Sequence, residues 1–221
     1  MPKVTEEYIK NKKKKIVEAA YQLCLEKTVS TVTMQDVINR SGLSQGGIYR
    51  FYKDIDEILR DMLLDLRGKG NIKRKIDDIF QRSKQLEPKE VVNQIFGLLA
   101  DFMTEELMGI QKIDFEMTVL AMNAPKRVEK ILSGIEETGN MEYIVLSISQ
   151  YFQQKMKEGK LHPRIPIEKL ISYISASYSG IQMSCIVQAC YRQMPMGAWY
   201  EPGIQLETLA KTTNYLLGED A

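Results

Sequence analysis

Apolar positions recur along this chain at the three- and four-residue spacing that lines one face of an α-helix. Ile16, Ala19, Ala20 and Leu23 form the first such stripe, and others run through residues 55–66, 91–102, 143–156 and 167–187. No run of alternating apolar and polar residues competes with them, so strands are not expected. Breakers divide the stripes at residues 28–31, Gly42, Lys53, residues 68–70, Pro88, Gly109, Pro125, residues 159–166 and residues 194–203. The pattern predicts an all-α fold of about nine helices, three short ones followed by longer ones. Neither an internal repeat nor a low-complexity segment interrupts it.

Several helix starts carry chemical signatures. Thr33 with Asp36 three residues on fits a capping box, in which hydroxyl and carboxylate each take an otherwise unpaired N–H. Ser44 suits the cap of the next helix, and Asp54 with Glu57 that of the one after. Gly42 stands between the first two, where a left-handed residue ends one helix and lets another begin almost at once. Helix, tight glycine turn and second short helix together make a helix-turn-helix.

Charge separates the two ends of the chain. Residues 1–53 carry ten Lys or Arg against five Asp or Glu, whereas the remainder carries 20 against 24. A basic first quarter on a mildly acidic body suggests a phosphate-binding module joined to something that does not bind phosphate, although the run Lys12 to Lys15 also fits a solvated helix start. No stretch approaches about 18 consecutive apolar residues, and the N-terminus lacks the apolar core of a leader, so a cytoplasmic protein without membrane spans is expected. Cys24, Cys185 and Cys190 match neither a disulfide framework nor a metal knuckle, and are read as reduced, mostly buried small hydrophobes.

With Ser44 as cap and ~100° per residue, Ile48, Phe51 and Tyr52 fall on one side of the following helix. Gln45, Gly46, Tyr49 and Arg50 fall on the other. A face offering an amide, a guanidinium and a phenol, with glycines that admit a close backbone, suits a DNA major groove. Arg50 is fitted to read guanine and Gln45 adenine, while Tyr49, Lys53 and the helix N-terminus are placed to hold phosphates. An ordinary surface helix with a polar face satisfies the same periodicity.

The segment TMQDVINRSGLSQGGIYRFYKDIDEIL, residues 33–59, resembles the signature of the TetR family of bacterial regulators, and KKKKIVEAAYQLCLEK before it resembles that family's first helix. The resemblance implies that Thr33, Met34, Gln35, Ser44, Gln45, Gly46, Gly47, Tyr49, Arg50 and Lys53 line the DNA. It also implies a helix-turn-helix domain over residues 1–55 and an all-helical effector-binding and dimerisation domain over residues 56–221. The sequence departs from the family at three places: Ile55 stands where a phosphate-meeting Lys is usual, Phe51 where Tyr or His is common, and Thr28 where Gly is common. Phosphate contacts from Lys12 to Lys15 would compensate for the first two.

In the family, the last two long helices of each subunit pair in a dimer. Their counterparts would be residues 166–193 and 203–217, the former carrying the small residues Ser175, Ala176, Ser177, Ser179 and Gly180 that permit close helix approach. A homodimer has a physical motive, since two recognition helices about a twofold axis read a palindrome that one helix is too short to read. The Met and aromatic residues Phe96, Met103, Phe115, Met122, Tyr143, Tyr178 and Met183 are expected to line a pocket for a small, hydrophobic effector. Each equally suits plain core packing. Asp101, Asp114 and Glu116 would pair with a cationic ligand or sit in solvent.

The function expected from the resemblance is a transcriptional repressor that binds a palindromic double-stranded operator as a dimer and is released by the effector, the helix after Asp54 tilting as it binds. An activator or a ligand-independent regulator would use the same fold. An enzyme has little support, because no phosphate loop, dinucleotide fingerprint, nucleophile elbow or zinc-binding helix motif is present. His162, the only histidine, sits in a proline-bounded loop without metal-ligand spacing, so neither metal nor cofactor is expected. An all-helical interaction protein is the remaining alternative.

Overall fold

A computed structural model describes residues 6–68, 72–135, 139–190 and 201–218. Among these residues there are no strands, and the helices in chain order are α1 (Glu6–Glu26), α2 (Met34–Ser41), α3 (Gln45–Tyr49), α4 (Ile55–Gly68), α5 (Ile72–Arg82), α6 (Pro88–Glu105), α7 (Lys112–Asn123), α8 (Pro125–Leu132), α9 (Asn140–Lys157), α10 (Ile167–Cys190) and α11 (Pro202–Leu216). The all-α expectation is met with more helices than anticipated: the breaks at Gly109 and Pro125 appear as read, and a further one after Leu132, where Gly134 takes φ 79°, separates α8 from α9. The break expected at residues 194–203 falls largely outside the described residues.

The chain forms two compact units: residues 1–68 with 112–137, and residues 69–111 with 138–221. Packing therefore groups the chain differently from a division at residue 55. Helix α4 and the pair α7 and α8 belong with the helix-turn-helix. The core of the first unit is built from Ile16 and Ala20 of α1, Val37 of α2, Ile48 of α3, Ile58 and Leu59 of α4, Ile113 of α7 and Ile131 of α8, all fully buried. In α1 and α4 the buried residues recur at helical spacing, so burial there follows from the stripes read along the sequence.

In the second unit α6 packs along α11, and its core includes Ile76, Val91, Ile95, Met103, Phe152, Leu170 and Leu206. The loop before α10 is tied to the end of α11 by two backbone bonds, His162 N to Leu217 O at 3.2 Å and Arg164 N to Leu216 O at 2.8 Å. Gly218 closes this junction with φ +92°, and a Cβ there would lie 2.4 Å from the His162 carbonyl oxygen, so no larger residue fits. The His162 side chain itself is exposed, as expected of a loop residue.

Helix α10 stands out in composition. It is long and apolar enough to cross a membrane, with a mean hydropathy of 1.2 over its best window, yet only 28% of that window is buried within the chain. Of the cysteines, Cys24 and Cys185 are buried and Cys190 is exposed, so the expectation of burial holds for two of three. Burial is the main reason that the Cys24 thiol is pushed up to about 12, which keeps it un-ionised and inert at neutral pH.

Candidate nucleic-acid interface

Local chemistry sets the helix-turn-helix. Thr33 Oγ accepts a bond from the Asp36 N–H at 3.2 Å, and the Asp36 carboxylate accepts the Thr33 N–H at 2.8 Å, completing the capping box of α2. Gly42 ends that helix at φ 64°, ψ 20°, a left-handed conformation that costs a glycine nothing. Ser44 Oγ then accepts the Gly47 N–H at 3.2 Å to cap α3, and Asp54 Oδ1 accepts the Glu57 N–H at 3.0 Å to start α4. Thr28, in place of the family's glycine, leads into a short 3-10 turn, Val29–Thr31.

Asp36 also accepts a bond from the Lys27 ammonium, and that bond, followed by those from Thr33, holds its carboxyl down at about 2. The ionised form is favoured by folding, so its contribution is complete above the ordinary carboxylate value of about 3.9 and fades as the pH falls through about 2. Titration of the Asp36 carboxyl by NMR should give a midpoint near 2; an ordinary midpoint in the folded protein would show that the cap and the Lys27 contact do not form in solution.

Helix α3 is short, and one buried side chain anchors it. Ile48 is fully buried and Tyr52, just past its end, is 2% exposed. The Tyr52 hydroxyl donates to Asp61 Oδ2 at 2.7 Å, Lys13 donates to the same oxygen at 3.3 Å, and the Lys13 ammonium lies 5.0 Å from the Tyr52 ring centroid. Burial, then the Asp61 bond, pushes the Tyr52 phenol up, so it remains a neutral donor. Phe51, expected to pack inward, is only partly buried. On the opposite side Tyr49 is 46% exposed, and Gln45, Gly46, Arg50 and Lys53 are exposed with it. At the start of α2, Thr33 and Gln35 are exposed and Met34 is partly so, while Gly47 is half-buried against the Ser44 cap.

The lysine run of α1 is not uniformly available. Lys13 is committed to Asp61 and Tyr52, and the Lys12 ammonium lies 5.4 Å from the Tyr8 ring centroid; Lys14 and Lys15 are exposed.

A second set of contacts, which sequence spacing does not reveal, braces the helix-turn-helix from α7 and α8. Arg60 of α4 donates to the carbonyls of Ile131 and Lys130 at 2.9 and 2.8 Å, completing the C-terminal end of α8. Asp56 is 8% exposed and accepts from Arg127 at 2.9 Å and Lys130 at 3.3 Å. Glu116 accepts the Val29 N–H at 2.7 Å and pairs with Lys112, which donates to the Cys24 carbonyl at 2.9 Å. These partners lie some 70 to 90 positions apart, and no local pattern announces them. Glu116 is thereby engaged within the protein and is not placed for a cationic ligand, whereas Asp101 and Asp114 are exposed.

The expected pocket residues scatter. Phe96 and Met103 on α6 and Tyr178 on α10 are buried, and Tyr143 on α9 is half-buried with its hydroxyl bonded to Asp77. Met183 on α10 is 46% exposed and Met122 on α7 is 72% exposed; Phe115, also on α7, is half-buried and belongs with Met122 to the first unit. Apolar identity did not determine which way each side chain faces. The cavity in the second unit, about 520 Å³, opens between α6 and α11 and takes only Phe96 from this set.

An exposed polar face on a short helix, held by one buried anchor and a glycine turn inside an all-helical chain, defines a helix-turn-helix DNA-binding regulator. Residues 16–62 match the family described as bacterial regulatory proteins, tetR family. The chain is 26% identical over 184 residues to the uncharacterized HTH-type transcriptional regulator YfiR of Bacillus subtilis strain 168, covering 81% of this chain and 82% of that protein. Its fold is similar to that of GusR from Salmonella enterica, with TM-score 0.63, 16% identity and 97% and 98% of the two chains covered. A TetR transcription regulator from Haloarcula marismortui is similar to the same degree, with TM-score 0.63, 16% identity and coverage of 95% and 97%. Residues 16–62 thus match the tetR DNA-binding domain, and over most of its length the chain is similar to an HTH-type transcriptional regulator.

Proposed function

We propose that the protein is a cytoplasmic repressor that binds a palindromic DNA operator as a homodimer and is released by a small effector. The observation that carries the DNA half of this reading is the orientation of α3, with Ile48 buried and Tyr49 and Arg50 outward. In this reading Gln45, Tyr49 and Arg50 reach base edges and phosphates in the major groove, Gly46 and Gly47 let the backbone approach, and Thr33, Met34, Gln35, Ser44 and Lys53 border the contact. Selection of random duplex DNA by the purified protein should enrich a palindrome. Recovery of no common sequence would reject the reading.

Homodimerisation is supported by α10. An apolar helix so little buried in its own chain is unfavourable in water unless another surface covers it. Its exposed side carries Tyr173, Ala176, Ser179 and Met183, a mixture of apolar contact and small residues that allows close helix approach. Ala176→Glu places a charge in that seam and should convert the dimer to monomer by analytical ultracentrifugation at micromolar concentration; an unaltered dimer would assign the interface elsewhere.

Release by an effector requires that the two units communicate. Gln111 is 2% exposed and accepts a bond from Gln182 Nε2 on α10 at 2.6 Å, while its neighbour Lys112 is bonded to the Cys24 carbonyl of α1. Effector and operator affinities are then reciprocally coupled.

A further inference from the structure

We infer that Arg127 of α8 is a positioning residue for DNA recognition: its guanidinium holds the turn that enters α2 against the first turn of α4, and so sets the helix-turn-helix in the arrangement that the duplex meets. This role rests on the DNA-binding reading above; the clasp itself does not. Arg127 lies outside residues 16–62, the stretch that matches the tetR family, so no motif marks it.

Three backbone groups around the connection from α1 to α2 take partners from α7 and α8. Lys112 Nζ donates to the Cys24 carbonyl at 2.9 Å, Glu116 Oε2 accepts the Val29 N–H at 2.7 Å, and Arg127 Nη1 donates to the Ser30 carbonyl at a longer 3.4 Å. Ser30 precedes the Thr33 cap by one short turn, so the place of this segment sets where α2 begins. Of the three side chains, it is Arg127 that also reaches the far end of the helix-turn-helix. Its Nε donates to Asp56 Oδ1 at 2.9 Å, in the first turn of α4 and just past Lys53.

Packing and hydrogen bonding contribute differently here. Burial of Ile16, Ile48, Ile58 and Ile131 stabilises the unit, but the hydrophobic effect has no direction. Charge-assisted hydrogen bonds fix distance and angle. A guanidinium is a planar fork of five donors, so one side chain joins two acceptors in a set geometry, which an ammonium on a flexible stem does not. The Arg127 side chain is 29% exposed, so the pair adds little to global stability while it orients the segments that it joins. Asp56 also accepts from Lys130 at 3.3 Å, and the carboxylate therefore keeps a cation beside it when Arg127 is replaced. The side-chain bonds of Lys130 run to Asp54 and Asp56, both at the start of α4, which makes Lys130 the matched comparison for a residue that also holds the turn.

The test uses the full-length protein and the duplex that it selects. Asp56→Asn combined with Arg127→Gln removes both charges together, so no buried carboxylate is left unpaired and the fold is kept. The double variant and Arg127→Gln alone should bind the duplex about three- to thirty-fold less tightly, at a temperature where circular dichroism shows both to be folded. The slope of log affinity against log salt should stay parental, because no phosphate contact is lost. Arg127→Lys, which keeps a cation beside Asp56 without the fork, should recover part of the loss, and Lys130→Ala should stay within about two-fold of the parent. Amide hydrogen exchange over residues 29–36 should quicken in the Arg127→Gln proteins and not in Lys130→Ala. Parental affinity in both Arg127→Gln proteins overturns the proposal, as does a salt slope lowered by about one, which would make Arg127 a phosphate contact. An equal loss in Lys130→Ala also overturns it, since the start of α4 alone would then set the affinity. If the parent protein selects no duplex, the DNA reading fails and takes the positioning role with it, whereas unchanged exchange over residues 29–36 rejects the clasp itself.

Discussion

Truncating Ile48 to alanine is expected to lower the stability of the protein by about 2–5 kcal/mol, read as a fall in the midpoint of chemical denaturation. The residue is fully buried, so its loss removes transfer free energy and leaves a void in the core of the first unit. The effect on DNA binding should be equally large, for a structural reason. Helix α3 spans only Gln45–Tyr49, too short to persist by backbone propensity, and the side chain holding it to the unit is Ile48. Without that anchor the Ser44 cap alone does not fix the rotation of the helix. An Ile48→Ala protein with parental stability would show that α3 is positioned by something other than this contact.

One position along, the expected result is the opposite. Replacing Arg50 or Tyr49 by alanine should leave the denaturation midpoint within about 0.5 kcal/mol of the parent, because exposed side chains far from caps and cores contribute little. Affinity for the selected duplex should fall about ten- to a hundred-fold for Arg50→Ala, the magnitude of a lost bidentate base contact, with relaxed specificity at one base pair. Tyr49→Ala should weaken all duplexes by a similar factor if the phenol holds a phosphate. Parental affinity in both variants would remove α3 from the interface. The contrast between positions 48 and 49–50 is what makes the pair informative, since one rotation of about 100° separates structural from recognition roles.

Much of the helix-turn-helix was legible before any coordinate. The caps at Thr33, Ser44 and Asp54 and the left-handed turn at Gly42 are local events, decided by residues within four positions of each other, and each appears as read. The outward set on α3 follows from helical rotation and the burial of Ile48. The effector region was far less legible. Met and aromatic content pointed to seven residues, but Met122 and Met183 face outward and Phe96 alone reaches the cavity. Two glycines and two alanines stand among the residues that line that cavity, and their significance lies in what they leave unfilled.

The sequence by itself determined that this chain is helical, where its first helices begin and end, and which face of α3 is polar, because those properties depend on bonds and periodicities within one or two turns. Tertiary structure alone decided that α7 and α8 brace the helix-turn-helix, that Asp56 sits between Arg127 and Lys130, and that α6 and α11 enclose a space. These contacts join residues some 70 to 120 positions apart, and their energies depend on which surfaces the folded chain brings together. No local pattern encodes such distances, and packing supplies them only once the whole chain has folded.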